Sequence, residues 1–250
     1  NLFVVEDAAQ AIDSYYTFSD GTRKPLGSIG HLGCFSFHET KNIIAGEGGM
    51  LIINDDQFVD RSEIIWEKGT NRSAFFRGEI DKYGWVDIGS SFLPSELTAA
   101  FLYAQLENME SIQKKRRQIW NRYHEGLKTV CKKLNIRQPN IPKYATNNAH
   151  MYYLVCNSKL QRDDLILFLK KERISAVFHY LSLHKSTFFR EKHDGRTLPM
   201  SDLYSKRLVR LPFFFELTLI QQDNVINAIH SFFKKNRKIN FRIKVVNWNK

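Results

Sequence analysis

Three short apolar runs occur in the first 54 residues, and polar or glycine-containing sequence follows each of them. The runs are residues 2–5, 31–37 and 50–54. Apolar runs of about four to eight residues bounded by turn formers are typical of buried strands in an α/β sheet. Open sheets of this kind place their ligand sites at the carboxyl ends of the strands. The polar residues after these runs are therefore the first candidates for a functional site.

The middle of the chain changes to helical spacing. Ser95 is a typical helix N-cap residue, and the apolar residues that follow it predict one long helix or two in series. Residues 70–93 form a long polar and aromatic loop, which is usually functional or at an interface. These patterns divide the chain into a large-domain part (1–94), a connecting helix (95–130), a small α+β domain (131–233) and a basic tail (234–250).

The net charge of +11 is unevenly distributed. Residues 1–100 contain 8 basic and 15 acidic side chains, a net charge of −7, whereas residues 101–233 carry +11 and residues 234–250 carry +7. A basic surface attracts phosphorylated ligands or nucleic acid, although the simpler interpretation is a solvated face. We find no nucleic-acid-binding motif and expect no nucleic-acid partner.

The sequence also bears on the compartment. No stretch approaches the roughly 18–20 apolar residues of a membrane span, and the start of the chain lacks the basic region of a signal peptide. Cys34, Cys131 and Cys156 are too few and too scattered for a disulfide framework or a zinc site. We therefore expect a cytoplasmic protein without a membrane span or a bound metal.

The residues after the first two apolar runs suit pyridoxal 5'-phosphate (PLP). This cofactor needs a carboxylate at its pyridine nitrogen and a lysine amine at its aldehyde, and Asp7 and Lys41 supply these groups. Ala9 leaves room for the ring, Gln10 can bond its hydroxyl group, and Ser36 can donate to the phosphate. Each signal alone is weak, because a strand-end aspartate is usually a capping residue and such a lysine is usually on the surface.

In their order and spacing, the sequences around Asp7, Ser36 and Lys41 resemble the PLP-dependent sugar-nucleotide aminotransferases of the DegT/DnrJ/EryC1/StrS family. The resemblance covers about residues 1–232. It implies PLP fold type I, as in aspartate aminotransferase, with a partial large domain built on a mostly parallel sheet and a small C-terminal α+β domain. The matching segments are residues 5–11, 26–30, 34–42 and 46–49. Segments closer to the branch that acts in enterobacterial common antigen synthesis are residues 37–42, 67–72, 87–91 and 148–151.

The resemblance implies a role for each cofactor residue. Lys41 would hold the cofactor and, once released from it, move a proton to and from the sugar carbon. Asp7, Gln10 and Ser36 would bind the pyridine nitrogen, the ring hydroxyl and the phosphate. Ser91 stands near the position where many members present an asparagine to the PLP phosphate of the partner subunit.

Further residues are implied in substrate binding. His179, Tyr180 and His184 lie where the small domain of the family faces the sugar nucleotide, with a core or surface histidine as the alternative interpretation. Arg72 and Arg77 are candidates for the diphosphate, since the arginine fork suits phosphate oxygens, with a solvated loop as the alternative.

The implied reaction is transamination by a homodimer, with residues 70–93 as the segment that crosses between subunits. L-Glutamate would supply the amino group for the 4-keto carbon of a dTDP-4-dehydro-6-deoxyhexose, giving dTDP-4-amino-4,6-dideoxygalactose. One alternative is a truncated, non-catalytic remnant with weak or no PLP binding, and another is a basic nucleic-acid-binding module. Related dehydratases replace the lysine with histidine, so Lys41 disfavours dehydration.

The resemblance also implies that part of the large domain of the family precedes residue 1. That part would contain a phosphate-binding turn at a helix N-terminus and an aromatic ring that stacks on the pyridine. Without it, the strand at residues 2–5 would expose apolar surface at a sheet edge. We therefore expect the chain alone to fold poorly and to hold PLP weakly.

Overall fold

The computed structural model describes residues 2–246, with side chains described through residue 235. The chain divides into two compact units. The first takes the residues through Lys114 together with Ile141–His150, and the second takes Lys115–Asn140 and the residues from Met151 onward. Most of the predicted basic tail, from residue 236 onward, has side chains that lie outside the described set.

The first unit contains strands at the second and third apolar runs, whereas the strand near the first run begins only at Val5 and continues through Asp7. A β-hairpin and a short helix, which the sequence analysis did not predict, complete the unit. Its elements are β1 (Val5–Asp7), β2 (Tyr15–Thr17), β3 (Arg23–Pro25), β4 (Leu32–Ser36), β5 (Gly49–Ile53), α1 (Val59–Trp66), α2 (Arg72–Phe76) and α3 (Glu96–Glu107).

The main sheet of this unit has the order β1-β4-β5. β1 pairs with β4 in parallel, with Asp7 opposite Cys34, whereas β4 pairs with β5 antiparallel. The sheet is therefore mixed, where the resemblance implied a mostly parallel one. The reason lies in residues 37–48, which contain no helix and return the chain directly to the neighbouring strand. The α/β class itself is confirmed.

Two helices in series follow, as the spacing predicted. The Ser95 hydroxyl accepts a hydrogen bond from the Thr98 N–H at 3.2 Å and so caps α3. Asn108 ends that helix, and α4 (Met109–Leu134) begins at the next residue. The start of α4 belongs to the first unit, where Ile112 packs with Phe37 and Ile43 in a buried cluster.

The second unit is built on an antiparallel sheet of order β6-β8-β7. Tyr152, Leu154 and Val209 come from the sheet region and are fully buried together with Leu169 and Ile229 of the surrounding helices. The small α+β fold is thus confirmed, although α6 and β8 were not predicted. Its elements after α4 are β6 (Tyr153–Val155), α5 (Lys159–Lys171), β7 (Val177–Phe178), α6 (Pro199–Arg207), β8 (Leu208–Arg210) and α7 (Leu219–Val246).

Short 3₁₀ turns complete the regular structure at Asp56–Phe58 and Leu183–Lys185. Among the described residues, no helix is both long and apolar enough to cross a membrane.

Glu6 in β1 anchors a tight turn beside the sheet. Its carboxylate accepts hydrogen bonds from the N–H groups of Gly27, Ile29 and Gly30 at 2.8, 2.5 and 2.5 Å. Gly27 has a φ of +92°, and a Cβ on Gly33 would lie 2.1 Å from the Gly27 carbonyl oxygen. The turn therefore needs glycine at both positions.

The residues that lead into β1 are apolar and exposed, as is its first residue. Leu2 is 88% exposed, Phe3 65%, Val4 50% and Val5 59%. Among the described residues β1 has a partner strand on one side only. The sequence analysis expected this exposure of apolar surface at a sheet edge.

We predict that Glu6→Gln destabilises the first unit in a pH-dependent way. Burial raises the pKa of Glu6, but the three backbone hydrogen bonds outweigh this effect and hold its pKa below the ordinary 4.5. Such a group contributes stability above its unfolded pKa, and this contribution is lost as pH falls through the folded pKa. We expect the variant to melt at a lower temperature than wild type at about pH 7, with a smaller difference at about pH 3. Equal melting curves at both values, measured by circular dichroism, would contradict the role of Glu6.

Candidate active site

The carboxyl ends of β1 and β4 bring two predicted cofactor residues to one edge of the sheet. Asp7 is the last residue of β1, and Ser36 is the last residue of β4. Because the two strands are parallel neighbours with Asp7 opposite Cys34, both side chains lie at the same end of the sheet. This is the place where open α/β sheets bind ligands.

Lys41 lies in the irregular segment that follows β4. Its N–H donates to the His38 carbonyl oxygen at 2.9 Å, which closes a turn just beyond Ser36. The lysine is partly buried, and the next two residues, Asn42 and Ile43, are buried at 5% and 0% exposure. The segment is thus anchored immediately after the lysine.

The residues after β1 form a second turn at the same sheet edge. The Asp7 carboxylate accepts a hydrogen bond from the Ala9 N–H at 3.1 Å. Ala8 is buried and Ala9 is partly buried, whereas Gln10 is exposed. The room that Ala9 is expected to leave for the cofactor ring stays a prediction.

This donor set fits the polar groups of PLP. Asp7 supplies a carboxylate for the pyridine nitrogen and Lys41 an amine for the aldehyde carbon. Ser36 supplies a hydroxyl for the phosphate, and Gln10 an amide for the ring hydroxyl. All four residues belong to the first unit, and none of them forms an ion pair with a described residue.

Arg72 and Ser91 are joined through Glu67. Arg72 donates to the Glu67 carboxylate at 2.5 Å, and the backbone of Ser91 forms a bridge to that of Glu67. Gly69 and Gly89 allow this contact, since a Cβ on Gly69 would lie 1.9 Å from the Asp87 carbonyl oxygen. The two predicted motifs at 67–72 and 87–91 therefore form one substructure.

Arg77 forms ion pairs with two carboxylates of the first unit. It pairs with Glu63 at 2.9 Å and with Glu79 at 2.7 Å. Hydrogen bonds to Glu79 and Glu63 raise its pKa further above the usual range. A diphosphate would have to compete with these acids at Arg77, and with Glu67 at Arg72.

The predicted substrate residues of the second unit occupy two environments. The rings of His179 and Tyr180 are in contact at 5.0 Å, and Tyr180 is 74% exposed. His184 has a side chain only 8% exposed and lies 3.4 Å from the Asp202 carboxylate. This burial fits the alternative interpretation of His184 as a core histidine, and its role in substrate binding stays a prediction.

Arg210 lies beside His179 and Tyr180, and the sequence analysis missed it. The pairing of β7 with β8 places Arg210 opposite Val177. Its guanidinium carbon lies 5.9 Å from the centre of the Tyr180 ring. Burial and the positive charge of Arg210 lower the pKa of His179. Only the strand register reveals this contact.

Comparisons with known proteins agree with this geometry. The DegT/DnrJ/EryC1/StrS aminotransferase family matches residues 1–230, which is nearly the whole chain. The chain belongs to this family.

Two curated family relatives are each 28% identical to this chain. One is an uncharacterized protein of Methanocaldococcus jannaschii, and the match covers 95% of this chain and 61% of that protein. The other is the spore coat polysaccharide biosynthesis protein SpsC of Bacillus subtilis, with 93% and 60% covered. The chain thus spans about 60% of the length of the curated relatives that it matches.

Solved structures confirm the fold type I assignment. A DegT/DnrJ/EryC1/StrS aminotransferase from Brucella abortus is 29% identical, with a TM-score of 0.76 over 93% of this chain and 57% of that one. The PLP form of Spr1654 from Streptococcus pneumoniae is 22% identical, with a TM-score of 0.79 over 93% of this chain and 58% of that one. PLP is the cofactor that these comparisons indicate for the family.

We predict that Arg210→Gln raises the pKa of His179. The substitution removes the positive charge that opposes protonation of the imidazole, while most of the burial remains. Titration of the His179 ring protons by NMR measures the change. Arg137→Gln is the control, since Arg137 is exposed and its backbone pairs with Val155 of β6, whereas Arg210 lies opposite Val177 of β7. An unchanged His179 pKa in Arg210→Gln would show that the two groups do not interact.

Proposed function

We propose that this chain carries the lysine-bearing part of a PLP-dependent sugar aminotransferase. The observation that supports this most directly is the parallel pairing of β1 with β4. It brings the Asp7 carboxylate and the Ser36 hydroxyl to one sheet edge, with Lys41 in the turn that follows. The family match supports the same activity.

Each residue has a defined task in this reaction. When bound, PLP supplies an electron sink for the carbon that loses its proton. Asp7 holds a proton on the pyridine nitrogen, and Gln10 and Ser36 orient the ring and the phosphate. The Lys41 Nζ first holds the cofactor and then takes and returns the proton at the reacting carbon. Ala9 leaves one face of the ring accessible.

For the substrates we propose L-glutamate as the amine donor and a dTDP-4-dehydro-6-deoxyhexose as the acceptor. The product would be dTDP-4-amino-4,6-dideoxygalactose, and we propose that the reaction takes place in the cytoplasm. The motifs at 37–42, 67–72, 87–91 and 148–151 support this branch. His179 and Tyr180 with Arg210 offer aromatic and cationic groups to a nucleotide, and Arg72 and Arg77 offer guanidinium groups to its diphosphate.

We also propose a homodimer, in which residues 70–93 contact the partner and Ser91 reaches toward its cofactor phosphate. In this segment Trp85 is 82% exposed and Ile88 83%, and on α3 Leu97 is 84% and Phe101 49% exposed. Apolar patches that stay exposed often mark protein interfaces. The exposed surface therefore supports a second copy as the partner.

We predict that Lys41→Ala abolishes covalent attachment of PLP. The purified chain is mixed with PLP, the excess is removed, and borohydride reduction is followed by peptide mapping. Wild type should carry the label at Lys41 and show a visible absorption band that bleaches with L-glutamate. Lys24→Ala, in the exposed strand β3, is the control and should behave as wild type.

The outcomes of this experiment separate the proposed transaminase from the non-catalytic alternative. Label at Lys41 together with bleaching supports the donor half-reaction, after which dTDP-sugars are the next substrates to add. A wild-type chain without label at Lys41 would contradict the catalytic proposal and favour the non-catalytic alternative for this chain.

We predict that Leu97→Glu weakens self-association. A carboxylate at this exposed position of α3 would have to be buried without a partner in the dimer. Sedimentation velocity should show wild type as a dimer and the variant as a monomer at the same concentration. Leu160→Glu, at a 70% exposed leucine of the second unit, is the matched control. Equal association of both variants would contradict the proposed interface.

A further inference from the structure

Asn42, the residue directly after Lys41, is buried and its amide is fully used. Its Nδ2 donates to the Gln113 side-chain oxygen at 2.8 Å and to the Asn148 carbonyl oxygen at 2.7 Å. Its Oδ1 lies 2.9 Å from the His150 Nδ1. Asn42 is 5% exposed and Gln113 is 1% exposed, so water does not substitute for these partners.

Asn148 extends this network to the turn that follows Asp7. Its Nδ2 donates to the carbonyl oxygens of Gln10 and Ile12 at 2.7 and 2.9 Å. Its Oδ1 accepts from the His150 N–H at 3.1 Å. Asn148 is 7% exposed and is separated from Gln10 by 138 positions in the chain.

A further hydrogen bond closes the network. The Gln113 Nε2 donates to the Asp13 carboxylate at 3.1 Å and lies 3.3 Å from the Asn148 carbonyl oxygen. The turn at residues 8–13 and the turn at residues 38–42 are therefore tied to the same two residues, Gln113 and Asn148, the second turn through the Asn148 backbone carbonyl. All of these residues lie in the first unit.

The two connected turns are those that carry the proposed cofactor residues. Neither turn contains a helix or a strand, so repeated ladder bonds do not determine their positions. Ala149, between Asn148 and His150, has a φ of +52°, a strained conformation for a residue with a Cβ. Strain of this kind persists where the surrounding contacts hold it in place.

We propose that Asn42 and Asn148 are positioning residues that hold Lys41 at a set distance from Asp7 and Gln10. This inference rests on the proposed function for the role of the lysine, but the tie between the two turns does not depend on it. The network acts through the backbone: Asn148 holds the carbonyl of Gln10, and Asn42 anchors the chain immediately after Lys41. Neither side chain itself needs to touch the cofactor.

The first test uses the full chain without cofactor. Asn148→Ala removes the hydrogen bonds to Gln10 and Ile12, and Asn148→Asp removes the same donor while keeping the shape. In both variants we expect faster amide hydrogen exchange at residues 8–13 and 38–42 together. Gln222→Ala is the control, because it removes a 1% exposed amide that donates to the Ile119 carbonyl at 2.6 Å in the second unit.

The second test measures the rate at which Lys41 acquires PLP, by borohydride trapping and peptide mapping at several pH values. We expect both Asn148 variants to slow attachment about 10- to 100-fold, since small displacements of reacting groups have effects of this size. Gln222→Ala should retain the wild-type rate even where its melting temperature falls as far as that of Asn148→Ala.

The failures of the two proposals are distinguishable. Unchanged exchange at residues 38–42 in both Asn148 variants would overturn the positioning role. Equal slowing of attachment by Gln222→Ala would also overturn it, since the effect would then follow from lost stability. If both turns exchange faster in the Asn148 variants but the wild-type chain never acquires PLP, the tie between the turns is supported and the proposed function is contradicted.

Discussion

The parallel pairing of β1 with β4 is the interaction on which the candidate active site depends. Asp7 and Ser36 are 29 positions apart, and the register of the two strands alone brings them to one sheet edge. A slip of one residue would turn every side chain of β1 to the opposite face. The Glu6 carboxylate, which binds the turn before β4, stabilises the same register.

Polar side chains bonded to backbone groups tie the turns of the site to one another, alongside the apolar cluster of Phe37, Ile43 and Ile112. Glu6, Asn42 and Asn148 each reach main-chain groups of distant segments. The reason is that the site consists of turns, whose backbone groups lack ladder partners and still need hydrogen bonds when buried. Such a framework orders the lysine turn without filling the space that a cofactor needs.

The first unit also has large apolar side chains that are exposed rather than buried. Helix α3 and the residues that lead into β1 expose such side chains. The curated relatives are longer, and this chain spans about 60% of their length. The second copy proposed above is a candidate to cover the exposed side chains of α3.

Local patterns in the sequence determined several elements of this protein. The apolar runs predicted β4 and β5 and, displaced by a few residues, β1, and Ser95 predicted the start of α3. Strand and helix signals can be read in this way because they depend on neighbouring residues. The order of Asp7, Ser36 and Lys41 and the resemblance that they carry identified the family and its cofactor. The short elements α6 and β8 were missed, since a few residues show too little periodicity.

Only the tertiary structure decided which distant groups meet. Glu6 and Gly30 are 24 positions apart, and Asn42 and the Asn148 carbonyl are 106 apart. The same holds for Arg210 beside His179, and for Asp202 beside His184. Periodicity shows which face a residue occupies but not which segment packs against that face, so these contacts required the folded chain.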